Sequence, residues 1–380
     1  MIISLEILPI YSIFLLINTN LHHPQEKHHT QLIFYFETPF NFKHFPSSIE
    51  MASTTHTTPK TVAKEIVTEM GNVLRIFSDG SIERPTQSPF VPPSLNDPNT
   101  GVSSKDIVIP HNPTISSRIY LPKLTNPPSK FSILVYFHGG VFMFESTFSK
   151  KYHDHLKTFA SQANVIVVSV EYSLAPEYPL PTCYQDCWAA LKWVSSHTNN
   201  NINNPEPCLI EHGNFNKVFI GGDSAGANIA HNIAIQAGVE NLPCGVKILG
   251  AIIIHPYFYS SNPIGSEPII EPENNIFNKF WHFVYPNAPF GIDNPKFNPL
   301  AEGAPSLEKL GCSRIIVCVA GKDKLRDRGV WYWEGVKNSG WKGKLEFFEE
   351  KDEGHVYQLV KPEFESAKIF IQRLVSFVQE

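Results

Sequence analysis

The sequence predicts an α/β fold with a doubly wound, mostly parallel sheet and helices on both faces. Two apolar runs, "FSILVYF" at 131–137 and "NVIVVSV" at 164–170, indicate strands buried on both sides, which is typical of parallel sheets. Strand-like and helix-like segments alternate from residue 131 to the C-terminus, as repeated βα units require. With 380 residues, 42% of them hydrophobic, the chain has enough material for the large core of such a sheet.

The predicted elements follow in order along the chain. A short amphipathic helix is expected at 61–70, and two strands at 73–85 that meet at an Asp-Gly turn. Further strands are expected at 104–110, 116–122, 131–137, 164–171, 217–222, 246–258, 313–321 and 344–350. Further helices are expected at 183–197, 225–238, 274–286, 326–340 and 362–379. Between 259 and 299 the alternation stops, and we interpret this stretch as a cap over the carboxyl ends of the strands, where open α/β sheets bind ligands.

The first fifty residues differ from the rest of the chain. Their apolar start, "MIISLEILPIYSIFLLINTN", lacks the basic segment and the small-residue cleavage site of a signal peptide, and Glu6 and Pro9 interrupt it. Met51 then opens an ordinary polar N-terminus. We therefore expect residues 1–50 to be a non-globular extension from an over-extended gene model and 51–380 to be a single domain. The intact mass of the native protein tests this expectation.

Composition excludes some classes of partner. The net charge is −5, with acidic and basic residues mixed, so we expect neither a nucleic acid nor a membrane surface as partner. The six cysteines are scattered without a C-x-x-C pair, which indicates reduced thiols and a cytoplasmic protein. A small molecule is the expected partner, and nothing in the sequence indicates the oligomeric state.

A G-x-S-x-G motif at 222–226 lies between a predicted strand and a predicted helix. A strand that turns into a helix within about one residue forces the serine into a strained conformation and leaves no room for side chains on its neighbours. The strain exposes the hydroxyl of Ser224 at the amino end of a helix, where backbone N–H groups favour negative charge. The motif therefore predicts a nucleophilic serine.

A serine nucleophile needs a general base and an acid that orients it. Asp323 follows a buried strand, and His355 lies in the loop after the next strand, so the chain order is Ser, Asp, His. Asp327, Asp352 and Glu353 are the competing acids. We expect Ser224, Asp323 and His355 to form the catalytic triad.

The segment "YFHGGVF" supplies the expected anion site. Two glycines after a strand allow backbone N–H groups to turn toward the oxygen of a tetrahedral intermediate. Gly139, Gly140 and the N–H of Ala225 form the predicted three-donor oxyanion hole, and His138 is interpreted as a structural residue of that loop. No cofactor is expected, because the chain has no P-loop, no dinucleotide-binding glycine motif after its first strand and no metal-ligand spacing.

Five motifs together carry a family resemblance: HGG, EYSLAPE, GDSAG, GKDKLRD and DEGH. On these motifs the region 61–380 resembles the plant carboxylesterases of the hormone-sensitive-lipase-like α/β-hydrolase group. Within that group, segments such as "ANIAHN" and "RLVSF" look most like the legume 2-hydroxyisoflavanone dehydratases. The resemblance implies an eight-stranded sheet and a cap built from an N-terminal helix and inserted segments, near 59–100 and 259–299. It also implies the same triad and oxyanion-hole residues as the motifs do.

Three functions follow from this resemblance. The first is a carboxylesterase that acts on small carboxylic esters. The second is a 2-hydroxyisoflavanone dehydratase, a lyase that uses the same site to form isoflavones by loss of water. The third is a non-catalytic binder like the gibberellin receptors, which His355 disfavours because those receptors lack the triad histidine. Some dehydratases of the group carry threonine where this chain has Ser224, and others carry serine, so the sequence leaves the first two functions open.

Overall fold

The computed structural model of the chain describes residues 2–6, 12–16, 64–124, 130–199 and 205–380. The chain divides into two compact units, Met1–Thr61 and Val62–Glu380. In the first unit, β1 (Ile2–Glu6) and β2 (Ser12–Leu16) form an antiparallel pair. The expected non-globular extension over 1–50 and the start at Met51 fall largely outside the described residues and stay predictions.

The second unit begins with a small antiparallel sheet formed by β3 (Ile66–Met70), β4 (Leu74–Phe77) and β5 (Ile82–Glu83). The helix predicted at 61–70 is wrong where the structure describes it, because Ile66–Met70 is a strand. Its β-branched residues suit an extended backbone, and Gly71 takes a positive φ of 57° in the turn that pairs β3 with β4. The two strands predicted at 73–85 are present.

Eight strands form the main sheet, in the order β13-β12-β11-β10-β8-β9-β7-β6. They are β6 (Ser103–Ile109), β7 (Ile115–Leu121), β8 (Phe131–Phe137), β9 (Val165–Glu171), β10 (Gly213–Asp223), β11 (Ile248–Ile254), β12 (Cys312–Ala320) and β13 (Lys344–Glu350). β7 runs antiparallel to its two neighbours, and the other neighbouring pairs are parallel. The predicted mostly parallel eight-stranded sheet is therefore confirmed.

Helices cover both faces of this sheet. They are α1 (Lys150–Ala163), α2 (Thr182–Ser196), α3 (Pro207–His212), α4 (Ala225–Ala237), α5 (Ile276–Val284), α6 (Arg326–Asn338), α7 (Tyr357–Val360) and α8 (Glu365–Gln379). Alternate residues of the strands point to opposite faces, so Leu134 belongs to the apolar cluster that contains α1 and α8, while Val135 belongs to the cluster that contains α2, α4 and α6. Within the described ranges, no helix is long and apolar enough to cross a membrane.

The insertion at 259–299 contains α5 and the short 3₁₀ helix Gly291–Asp293. The side chain of Asn275 caps α5 by accepting hydrogen bonds from the N–H groups of Phe277 and Asn278. Arg328 of α6 is fully buried and binds the carboxylate of Glu267, which fixes the insertion to the main domain.

Candidate active site

The G-x-S-x-G segment forms a sharp turn between β10 and α4. Ser224 lies at φ 53° and ψ −116°, a conformation that side chains rarely adopt. A Cβ on Gly226 would overlap the carbonyl oxygen of Phe137, and one on Gly222 would overlap the same oxygen and the backbone of Gly226. Neither position accepts a side chain. The predicted strained serine between a strand and a helix is thus present in the structure.

Backbone hydrogen bonds hold this turn from a third strand. The N–H of Ser224 donates to the carbonyl of Ile254 at the end of β11 (2.9 Å), and the carbonyl of Ser224 accepts from the N–H of Tyr257 (3.0 Å). Among the described residues, the N–H of Ala225 has no acceptor. As the first residue of α4, Ala225 therefore offers a free donor where the helix dipole favours negative charge.

Asp323 and His355 meet at the carboxyl ends of β12 and β13. The Nδ1 atom of His355 lies 2.7 Å from Oδ2 of Asp323, and the carboxylate also accepts from the N–H of Leu325 (2.9 Å). Burial raises the pKa of the Asp323 carboxyl, but the hydrogen bond from His355 and its charge outweigh burial, so the net pKa is lowered. Asp323 is therefore ionised at neutral pH and orients the imidazole.

The competing acids are engaged elsewhere. Asp327 accepts from the N–H and the hydroxyl of Ser266 (2.6 and 2.7 Å). Asp352 is exposed, and Glu353 accepts from the hydroxyl of Ser366 (2.8 Å). Of the four acids that the sequence offers, Asp323 is the one that contacts His355.

The loop after β8, residues 138–145, is called the oxyanion loop below. Gly140 has a φ of 108°, and a Cβ there would overlap the carbonyl of Phe144, so this position requires glycine. Among the described residues, the N–H of Gly140 has no acceptor. The N–H of Gly139, by contrast, donates to the hydroxyl of Tyr152 (2.7 Å). The N–H of Gly139 is therefore not the free donor that the sequence predicted. The N–H groups of Gly140 and Ala225 remain as the candidate donors to an oxyanion.

The side chain of His138 sets the direction of the Gly140 N–H. Its Nδ1 atom lies 2.7 Å from the carbonyl oxygen of Gly139, so Nδ1 carries the proton and donates. Because the C=O and N–H of one trans peptide point in opposite directions, the N–H of Gly140 points away from His138. Burial lowers the pKa of His138 to about 4, which keeps the ring neutral. His138 is thus a structural residue of the loop, in agreement with its interpretation from sequence.

One cavity of about 520 Å³ connects these groups. Its polar lining includes Ser224, Asp323 and His355, together with Gly140 of the oxyanion loop. Ser224 and His355 are not hydrogen-bonded to each other among the described residues. Gly139 and Ala225 do not line the cavity, although each neighbours a residue that does.

The apolar lining comes from the predicted cap elements and from the loops of the sheet. Phe277 and Phe280 of α5 and Val73 next to β4 lie on this surface, as does Phe144 of the oxyanion loop. Phe142 and Trp281, by contrast, are buried core residues. The cavity-lining aromatics of α5 could not be distinguished from core residues by their spacing alone.

Sequence reasoning missed His255, which follows β11. Its Nδ1 atom accepts from the N–H of Val356 (3.0 Å), the residue after His355, and burial lowers its pKa to about 3. His255 and Val356 both have positive φ, 44° and 49°. The neutral imidazole therefore holds a strained backbone beside His355.

His255, Asp323 and His355 also offer one ligand atom each within 4.8 Å of one another. Such a group could hold a metal ion, but these side chains already bond to each other or to the backbone. His231, by contrast, is an ordinary core residue, with Nδ1 3.0 Å from the Tyr332 hydroxyl. His153 and His155 of α1 are both buried.

Comparison with known proteins agrees with this geometry. The profile described as the alpha/beta hydrolase fold matches residues 134–359. The 2-hydroxyisoflavanone dehydratase of Glycyrrhiza echinata is 54% identical over 330 residues, which cover 86% of this chain and 100% of that protein. Probable carboxylesterase 2 of Arabidopsis thaliana is 41% identical over 317 residues, covering 83% of this chain and 98% of that protein.

A solved structure supports the same assignment. The esterase of the archaeon Pyrobaculum calidifontis matches with a TM-score of 0.56 and 25% identity, covering 73% of this chain and 85% of that chain. The resemblance that the five motifs indicated is confirmed. The chain belongs to the α/β-hydrolase fold family and is an enzyme of it, with a plant 2-hydroxyisoflavanone dehydratase and a plant carboxylesterase among its relatives.

Proposed function

We propose that the chain is a carboxylesterase-type serine hydrolase that acts on small carboxylic esters through Ser224, His355 and Asp323. The observation that carries the proposal is the 2.7 Å hydrogen bond between Asp323 and His355 at the wall of the cavity that Ser224 also lines. The strained backbone of Ser224 supports it, because strain of this kind is stored at functional sites.

In the proposed reaction, His355 takes the proton of Ser224 as the hydroxyl oxygen attacks the ester carbonyl. The N–H groups of Gly140 and Ala225 donate to the oxygen that becomes negative. His355 then protonates the leaving alcohol, and a water molecule activated by His355 releases the acid from the acyl-enzyme. The missing contact between Ser224 and His355 is compatible with this reaction, because catalytic hydrogen bonds often tighten only in the substrate complex.

The cavity supports a small, mostly apolar substrate. A volume of about 520 Å³ lies in the range of ligand pockets that enclose drug-sized molecules. Phe144, Phe277 and Phe280 offer ring faces for an acyl or alcohol group, while the polar residues gather near Ser224.

A second candidate function is the dehydration of 2-hydroxyisoflavanones. It is favoured by the 54% identity to the Glycyrrhiza dehydratase over that protein's whole length, against 41% to the Arabidopsis carboxylesterase. In this reaction the N–H groups of Gly140 and Ala225 polarise the C4 ketone, and His355 removes the C3 proton. His355 then gives this proton to the 2-hydroxyl, which leaves as water while the C2–C3 double bond forms. No bond to Ser224 forms, so the two functions differ in their dependence on Ser224.

A parallel assay of wild type and Ser224→Ala tests both functions. A short-chain nitrophenyl ester and a 2-hydroxyisoflavanone are given to each protein. We expect Ser224→Ala to lower ester turnover by about 10⁴-fold or more, since the triad loses its nucleophile. Ser376→Ala, a change on the exposed side of α8, is the matched control and should leave both rates unchanged.

The outcomes separate the functions. Ester turnover that persists in Ser224→Ala contradicts the esterase proposal. Rapid isoflavone formation by wild type that survives the substitution assigns the chain to the dehydratases. If wild type converts neither substrate while it remains folded, both candidates are wrong.

We also propose that the protein acts in the cytoplasm. Support comes from its six cysteines, all of them unpaired and four of them buried, which suits a reducing compartment. A fluorescent fusion expressed in plant cells tests the location, and accumulation in a plastid or in the secretory route would contradict it.

A further inference from the structure

The carboxylate of Asp223 lies behind the oxyanion loop. Asp223 is the residue before Ser224 and is 1% exposed. The hydroxyl of Tyr136 donates to its Oδ1 atom and the hydroxyl of Tyr152 to its Oδ2 atom, each at 2.8 Å. Oδ2 also lies 2.5 Å from the point where a Cβ on Gly139 would stand. The carboxylate therefore packs directly against the oxyanion loop.

The direction of each hydrogen bond in this network is determined. The N–H of Gly139 can only donate, so the Tyr152 oxygen accepts from it (2.7 Å) and directs its single proton to Asp223. Burial raises the pKa of Asp223 to about 6 despite the two tyrosine donors, so the carboxylate is ionised at neutral pH. An ionised acceptor polarises the Tyr152 hydroxyl and strengthens the bond from Gly139.

Both peptide units that flank Gly139 are held by side chains. In the unit between His138 and Gly139, the carbonyl accepts from the Tyr172 hydroxyl (2.7 Å) and the N–H donates to Tyr152. In the unit between Gly139 and Gly140, the carbonyl accepts from His138 Nδ1 and the N–H remains free at the cavity. Tyr152 and Tyr172 hold the first unit and His138 holds the second, so Tyr152 is one of three side chains that restrict rotation about φ of Gly139.

We propose that Tyr152 and Asp223 are positioning residues for the oxyanion hole: Asp223 holds the Tyr152 hydroxyl, which binds the Gly139 N–H and so keeps the Gly140 N–H directed at the substrate oxygen. This inference rests on the proposed function in one respect. Both candidate reactions place a carbonyl oxygen next to the N–H groups of Gly140 and Ala225. Tyr152 lines the cavity but acts through the backbone in this role.

Two tyrosine substitutions form a matched pair that tests the inference. Tyr152→Phe and Tyr136→Phe each remove one buried hydroxyl bonded to Asp223, but only Tyr152→Phe also releases the N–H of Gly139. We measure kcat and KM for the nitrophenyl ester and the calorimetric affinity for a small alkylboronic acid, which forms a tetrahedral adduct with the serine.

For Tyr152→Phe we expect kcat to fall by about 10- to 100-fold, with KM changed by less than about threefold, because the lost interaction serves the transition state. Boronate affinity should fall in proportion to kcat. Tyr136→Phe should change each quantity by less than about threefold, since the oxyanion loop keeps all of its bonds. Asp223→Asn should lower kcat by less than Tyr152→Phe, because the amide oxygen can still accept from Tyr152 but carries no negative charge to polarise its hydroxyl.

Equal losses in the two tyrosine variants, or a loss confined to KM, would overturn the inference. Thermal unfolding of each variant separates lost positioning from lost stability, and a Tyr152→Phe protein with wild-type kcat also contradicts it. Failure of the proposed function has a different signature: wild type then shows no turnover that depends on Ser224 and binds no boronate. Isoflavanone conversion by the same variants tests the positioning in that case, since the ketone oxygen would use the same donors.

Discussion

The nucleophile turn, residues 222–226, and the oxyanion loop, residues 138–145, follow neighbouring parallel strands and reach the same cavity. They are held in different ways. The turn is held by backbone: Gly222 and Gly226 pack against the Phe137 carbonyl, and Ser224 bonds to the backbone of Ile254. The loop is held mainly by buried side chains of His138, Tyr152 and Tyr172, which bond to its peptide groups.

This difference separates two kinds of sensitivity. A backbone-to-backbone fit tolerates no added atom, because neither partner has a rotamer by which it could move away. A loop held by side chains tolerates the loss of one hydroxyl but depends on the chemistry and the charge of its supports. Substitutions in the turn should therefore cause large losses of stability and activity through steric overlap. Substitutions in the supports of the loop should each cause a smaller loss that can be measured separately.

The largest effect is expected for Gly226→Ala. The new Cβ overlaps the carbonyl oxygens of Phe137 and His138, which belong to the end of a central strand and cannot shift without disturbing the sheet. We expect a loss of stability above about 4 kcal/mol and a loss of ester turnover above about 10³-fold.

Chemical denaturation and initial rates measure both effects. Gly354→Ala is the steric control for stability, because a Cβ at Gly354 meets no atom within 4 Å. Its unfolding free energy should stay within about 0.5 kcal/mol of wild type. If Gly226→Ala proves as stable as this control, the backbone fit of the turn is wrong.

A smaller loss is expected for Gly140→Ala in the oxyanion loop. The added Cβ overlaps the Phe144 carbonyl, and φ at 108° is strained for alanine, but Phe144 belongs to the same loop and can shift with it. We expect turnover to fall by about 10²- to 10³-fold, the usual effect of one misplaced oxyanion donor. The stability cost should be about 1–3 kcal/mol, below that of Gly226→Ala. A reversed order of the two stability losses would contradict the comparison.

The same contrast explains what the sequence could predict. The turn was predictable because its requirement is local: two glycines at fixed spacing around a serine, between a strand and a helix. The apolar strand runs are local in the same sense, and the eight-stranded sheet is confirmed. The order of Ser224, Asp323 and His355 is not local, but it could be predicted because it is the chain order of α/β-hydrolases. Among the four candidate acids, Asp323 could be predicted as the partner of His355 because it directly follows a buried strand.

The supports of the oxyanion loop were not predictable from local sequence. Tyr152 and Tyr172 lie 13 and 33 residues beyond Gly139, and His255 lies 100 residues before His355, so only the folded chain brings them together. The helix predicted at 61–70 failed for a related reason. Its spacing suits a helix, but pairing with β4 selects the extended form of Ile66–Met70.

Acid should destabilise the protein through the buried histidines whose pKa burial lowers to about 3–4, namely His138, His153, His155, His231 and His255. Their folded pKa values of about 3–4 lie below the unfolded value near 6.5, so the unfolded chain binds more protons. These histidines therefore leave the free energy of unfolding at its full value above about pH 6.5. As pH falls toward 4, the free energy of unfolding decreases, because the unfolded chain takes up protons that the folded chain does not. Each should contribute about 2 kcal/mol of loss at pH 5.

Asp223 opposes this trend, and its substitution sharpens the test. Its folded pKa of about 6 lies above the unfolded value of about 3.9, so its contribution is largest below pH 3.9 and is lost as pH rises through 6. Asp223→Asn should therefore steepen the acid loss between pH 6 and 4 by about 2 kcal/mol. Urea unfolding of both proteins at several pH values measures the slopes, and parallel slopes would contradict a raised pKa at Asp223.

Among the side chains that bond to the oxyanion loop, a small effect is expected for Tyr172→Phe. The Tyr172 hydroxyl donates to the carbonyl of His138 (2.7 Å) and lies 3.3 Å from that of Gly139, while its ring stacks on His138 at 4.2 Å. Phenylalanine keeps the stacking, and the Gly139 carbonyl keeps its bond from His138, so only the His138 carbonyl loses its donor.

One lost hydrogen bond of this kind costs about 1 kcal/mol, and we expect kcat to fall by no more than about tenfold. Stopped assays with the nitrophenyl ester at saturating concentration measure kcat directly. Because Tyr172 holds the far end of the peptide whose N–H binds Tyr152, the double variant Tyr152→Phe, Tyr172→Phe should lose more activity than the product of the single losses. If the double variant loses only the product of the two single losses, the two tyrosines act on the oxyanion loop independently. That result would contradict the view that they hold the same peptide unit together.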